Sequence, residues 1–186
     1  MTLYLTTTSM FNNLNYKPST DQWLLNKEEI QLKDIALLPD SLKTGWGLLA
    51  PGTAPDWVWD NVTGRPEAPP TPEHKRAFSI EVIDEQNGLM TWSGTGHGSC
   101  KAIETIFEEI SKAKNQYPKK IPICRYHRSE AKKVGKGNTR IPIFSITGWS
   151  HPDDLPWATN NVDDFGGGSG SLSVTGSTSV EDNIPF

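Results

Sequence analysis

Between Arg76 and Ile83 apolar and polar side chains alternate. Phe78, Ile80 and Val82 fall on one face, and Ala77, Ser79 and Glu81 on the other. A two-residue period predicts a half-buried strand. Asn87-Gly88 supplies a turn, and Leu89 to Trp92 returns as the hairpin partner. The period changes after the glycines of Gly94 to Gly98. Ala102, Ile103, Ile106, Phe107 and Ile110 recur at helical spacing, while Glu104, Glu108 and Lys112 face outward. This predicts a helix from Cys100 to about Lys114, capped by Ser99. Lys120 to Tyr126 and Arg140 to Trp149 read as two further strands. A basic segment, Arg128 to Asn138, joins them and ends in Gly135-Lys136-Gly137-Asn138, so the pair predicts a hairpin with a positively charged tip.

The rest of the chain is less periodic. Met1 to Thr20 reads as irregular or as a weak edge strand. Thr20 or Asp21 would cap a short helix through Trp23, Leu24, Leu25 and Ile30. Ile35 to Leu38 is an apolar run closed by Pro39-Asp40, and Thr44 to Leu49 is a strand whose Gly45 and Gly47 leave its backbone accessible. Pro51 to Pro72 is rich in proline and carries Trp57 and Trp59, which point the same way if the segment is extended. The turn His151 to Trp157 would lay Trp157 back on the body. The sum is five or six strands and one helix. It predicts a mainly β fold, an OB-like antiparallel barrel with one helix ahead of the basic hairpin. An α+β sandwich would leave the same pattern.

Composition sets the boundaries. After Ala158 the chain turns polar, and Gly166 to Ser179 is built almost wholly of Gly, Ser and Thr. Such a stretch cannot bury enough apolar surface to offset the entropy of ordering. The expected organisation is a domain over residues 1–158, a flexible linker over 159–180 and a tail over 181–186. No apolar run is long enough to span a membrane. The uncharged, Thr-rich N-terminus is a poor signal peptide. Two cysteines make no disulfide framework, so a reduced cytoplasmic compartment is expected.

The net charge of −4 hides a separation. All 18 Lys and Arg lie at or before Arg140, against 16 acids ahead of Ser150, whereas the end of the chain has six acids and no base. Lys112 to Arg140 holds ten bases and one acid, a local +9. That density suggests a polyanion-binding body behind an acidic end. Binding a single strand needs cations for phosphates and flat side chains for bases. The candidate cations are Lys119, Lys120, Arg125, Arg128, Lys132, Lys133, Lys136 and Arg140. The candidate platforms are Trp46, Trp57, Trp59, Trp92, Tyr126 and Trp149.

Other motifs are weaker. Gly94 to Ser99 runs into a helix start, where backbone N–H groups could hold a phosphate, but the spacing is neither a P-loop nor a dinucleotide fingerprint. His97-x-x-Cys100 and Cys124-x-x-His127 offer four ligands of the type that binds structural zinc, in an unusual order, while both cysteines also suit a core. No metal or other cofactor is assigned from these motifs. No catalytic spacing stands out, and no enzymatic activity is expected.

The chain closes on Glu181-Asp182-Asn183-Ile184-Pro185-Phe186. This end resembles the tail of bacterial single-stranded DNA-binding proteins, which finish on a run of Asp followed by Ile-Pro-Phe. Glu181, Asp182, Ile184, Pro185 and Phe186 match, and Asn183 replaces an acid. The resemblance covers linker and tail only. It implies a phage-type or divergent bacterial protein that binds single-stranded DNA in replication, recombination or repair. It also implies that Glu181, Asp182, Ile184, Pro185 and Phe186 recruit partner proteins. Self-association of the body is open. The rival expectation is an adaptor or duplex-binding protein that carries a copy of this tail.

Overall fold

The computed structural model describes residues 12–157. They form a mainly β fold with one α-helix. In chain order the elements are β1 (Asn13–Lys17), β2 (Gln22–Leu25), β3 (Glu28–Ile30), β4 (Asp34–Leu37) and a 3-10 turn at Pro39–Ser41. Then come β5 (Lys43–Leu48), β6 (Asp56–Trp59), β7 (Lys75–Asp84), β8 (Gly88–Thr95), α1 (His97–Ala113), β9 (Ile121–Val134) and β10 (Gly137–Ser150). The strands join in one sheet of order β10-β9-β4-β7-β8-β1-β2-β3, and β5 branches from β7 to carry β6. Every pairing is antiparallel except β1 with β8.

The alternating faces do what their period requires. Phe78, Ile80, Val82, Met90 and Trp92 enter one core with the helical stripe Ala102, Ile103, Ile106 and Ile110. Each such large side chain removed from water contributes about 1.5–3 kcal/mol. The sheet curls around this core. Trp23 on β2 comes within 5.6 Å of the Tyr126 ring on β9 and 5.9 Å of Phe144 on β10. No ladder joins those strands among the described residues, so the sheet stays open. On the other face Ala36, Ile83, Ile121, Leu155 and Trp157 make a second, smaller cluster. Trp157 thus folds back on the body, as its turn predicts.

Four expectations are corrected. There are ten strands among the described residues, not five or six. The segment around Trp23 is a hairpin, because Asn26 and Lys27 both take positive φ and reverse the chain there. The helix starts at His97, with Gly96 at φ 83° as its cap, and Ser99 is buried inside the first turn. The basic hairpin is paired to its end. Val134 faces Gly137 across a two-residue turn whose first residue, Gly135, has φ 57°, a position that favours glycine. No helix among the described residues is long and apolar enough to cross a membrane.

Candidate nucleic-acid interface

β6 is held on β5 with Gly45 opposite Trp59 and Gly47 opposite Trp57. Cross-strand partners share a face, so both indoles lie over the glycines. A Cβ on Gly47 would meet Trp57 Cζ3 at 2.5 Å, and one on Gly45 would meet Val58 O at 2.2 Å. Only glycine lets the rings settle there. The two indoles stack, with centroids 5.5 Å apart and planes 7° from parallel. Both are half-buried, and neither belongs to a core cluster.

The same register brings two lysines to the pair. Lys43 stands two residues before Gly45, and Lys75 lies opposite Gly47, so both share the tryptophans' face, one at each end. Both are exposed, and neither has an ion-pair partner among the described residues. Sequence reasoning missed them because their neighbourhood arises from long-range pairing. The available signal was two glycines spaced two apart and two tryptophans spaced two apart, which can pack against one another across a ladder.

The opposite face of β5 and β6 is locked. Asp60 receives both Arg76 guanidinium nitrogens and the Thr44 hydroxyl, the last at 2.6 Å. Its side chain is fully buried. The bonded Arg76 guanidinium pulls the Asp60 carboxyl down to about 2, against the opposing effect of burial. Arg76 also lies 5.4 Å from the Trp46 ring centroid, and Trp46 donates its Nε1–H to Glu67 O at 2.9 Å. Trp46 therefore serves the loop after β6, on the face away from Trp57 and Trp59.

The hairpin cations divide into two groups. Arg125 is clamped on Asp34, Arg128 pairs with Glu130, and Arg140 pairs with Asp21. Arg140 also donates to Ser129, and Ser129 and Tyr16 both donate to Asp21. The Ser129 hydroxyl is the first cause that holds Asp21 low. Burial pushes the Tyr16 phenol up to about 12. Lys132, Lys133 and Lys136 have no ion-pair partner among the described residues. Lys132, Lys133 and Arg140 line an open groove of about 740 Å³ beside Pro18 and Ser19. Lys119 and Lys120 lie at the other end of β9, about 50 Å from the tip at the usual rise per residue. The structure therefore does not gather the eight cations into one patch.

The aromatic candidates separate too. Trp92 is fully buried in the core against Phe78 and Phe144 and offers no face to a base, which corrects its place among the platforms. Tyr126 packs on the same core through Trp23 and Phe144. Trp149 stacks on Tyr117 at 4.9 Å with planes 9° apart, beside Lys119 and Lys120. Tyr117 was not foreseen.

The histidine–cysteine pairs form no common site. Cys100 donates its thiol to Arg76 O, Cys124 is buried in the core, and His127 bonds to Ser145. No group of three or more potential ligands occurs among the described residues. Burial pushes the Cys100 thiol up to about 11 and that of Cys124 up to about 12. Glu181, Asp182, Ile184, Pro185 and Phe186, with the linker, lie outside the described residues. No family model matches the chain, and no curated protein or solved structure matches it.

Proposed function

We propose that this chain binds single-stranded DNA with little sequence preference and protects it during replication, recombination or repair. The observation that carries this is the Trp57–Trp59 stack flanked by Lys43 and Lys75. Flat rings accept any base, and the lysines beside them suit the phosphates on either side. Each stacked base contributes roughly 1–3 kcal/mol. The curl that brings Trp23 to Tyr126 and Phe144 supports an OB-like barrel for the body. The tail, 181–186, recruits replication and repair proteins, in line with its resemblance. A cytoplasm, of a bacterium or a phage-infected host, is the compartment this role needs.

The test is a fluorescence titration with oligo-dT and with duplex at two salt concentrations, on the parent and on W57A/W59A. The expected result is preference for the single strand, quenched tryptophan emission and a steep salt slope. The double variant should lose single-strand affinity while unfolding at the parent's urea midpoint or close to it. Unchanged oligo-dT affinity in a folded W57A/W59A protein would defeat the proposal. Equal or absent binding to both DNA forms would favour an adaptor.

A further inference from the structure

The end of the β9–β10 hairpin is a bare two-stranded ribbon. Among the described residues, β4 follows β9 only as far as Arg125, and β10 pairs with β9 alone. Beyond the clasp of Asp21 on Ser129 and Arg140, every residue from Ala131 to Asn138 is exposed. This part extends roughly 15 Å past the Ala131–Arg140 pair. It carries Lys132, Lys133 and Lys136 without ion-pair partners among the described residues, and places Lys133 opposite Asn138 and Lys132 opposite Thr139.

The sequence from Arg128 to Arg140 contains no aromatic residue. The ribbon therefore has charge and hydrogen-bonding groups but nothing on which an unpaired base can stack. Trp57 and Trp59 have the opposite character. A polyanion whose bases are already stacked on one another, a duplex, fits the ribbon better than a single strand does. Its dimensions agree. The B-form major groove is about 12 Å wide and about 8.5 Å deep, and it admits a two-stranded ribbon.

We infer that the ribbon 131–138 is a duplex-docking arm, so that the protein engages junctions where a single strand meets a duplex. The single strand runs over Trp57 and Trp59, and the arm takes phosphates of the adjoining duplex through Lys132, Lys133 and Lys136. The single-strand half of this rests on the function proposed above, and the arm does not.

The test uses the full chain, its K132A/K133A/K136A variant and three fluorescent DNAs in anisotropy titrations: oligo-dT, blunt duplex, and duplex with an oligo-dT tail. The parent should bind the tailed duplex more tightly than either part. The arm variant should lose that preference, with a smaller loss on oligo-dT than on the tailed duplex. Its salt slope on tailed and blunt duplex should fall by about 2.7, from about 0.9 per phosphate for three phosphates. Equal losses on oligo-dT and tailed duplex would place the arm on the single-strand path and overturn the inference. So would a parent with no preference for the junction. A change in the sedimentation of the DNA-free variant would make a second copy the arm's occupant and also overturn it. Blunt duplex separates the two ideas. A reduced slope there supports the arm even if W57A/W59A still binds oligo-dT, and an unchanged slope refutes it.

Discussion

Asp60→Asn tests what holds the tryptophan pair in place. The Asp60 side chain is fully buried, and its carboxylate receives two guanidinium nitrogens of Arg76, whose own side chain is 28% exposed, and the Thr44 hydroxyl. The amide keeps the shape and removes the charge, and it turns an N–H toward one of those donors. A carboxyl lowered from 3.8 to about 2 contributes about 2 kcal/mol at neutral pH. Loss of one partner of a buried pair costs more, about 3–5 kcal/mol, when the survivor is fully enclosed. Arg76 keeps some water, so the expected loss is about 2–3 kcal/mol. The sign with pH follows from the depressed value. Above the unfolded-state value, about 4, the contribution is complete. As pH falls from there toward 2 the unfolded chain takes up the proton first, and the contribution disappears. Urea unfolding followed by tryptophan emission measures this. Asp21 and Asp34 are also held low, so the useful quantity is the parent-minus-variant difference. That difference should be largest at neutral pH and shrink between about pH 4 and about pH 2. A loss below about 1 kcal/mol at neutral pH, or a difference that ignores pH, would refute the account of Asp60 as a charged clamp.

Three further outcomes are expected. Gly98→Ala should lower the melting temperature, although alanine favours helices by about 1 kcal/mol, because its Cβ would lie 2.2 Å from Arg140 O and 2.9 Å from Thr139 Oγ1; a rise on thermal scanning would contradict the close seat of α1 on β10. Leu14→Ala removes a fully buried side chain and should cost about 2–5 kcal/mol in urea unfolding, and a near-neutral result would argue against β1 as a core strand. Deletion of 181–186 should leave or raise DNA affinity in anisotropy while abolishing capture of partner proteins, and lost DNA binding would end the division between body and tail.

The parts of the fold legible in the sequence are those built from local repetition. The Phe78–Ile80–Val82 alternation, Asn87-Gly88 and the stripe of α1 each lie within one element or one tight turn. The β1–β3 region is not legible locally, because Trp23, Leu24, Leu25 and Ile30 mimic helical spacing. The reversal there depends on two residues, Asn26 and Lys27, that take a conformation more usual for glycine. Of the candidate site, the shared side of Trp57 and Trp59 was legible, since a period of two fixes it. The positions of Lys43 and Lys75 beside them were not, because cross-strand register set those. Nor was the loss of Trp92 to the core. Any tryptophan in an alternating strand has two faces available, and only the packing of β8 under α1 decides between them.

The strand order also bears on how the chain acquires its shape in time. β4 waits between β7 and β9, and β1 lies beside β8. Two of the segments made first at the ribosome, β1 and β4, therefore lack a neighbour until much later ones emerge. β7, β8 and α1 are contiguous and can assemble locally, whereas β4 is completed only when Ile123 to Arg125 arrive. Loop closure on this scale slows folding toward the millisecond-to-second range of non-local β proteins. A nascent chain halted before β7 should be open to protease through its first forty described residues, because β1, β4 and β5 then lack β8 and β7, while the same residues in the finished protein resist.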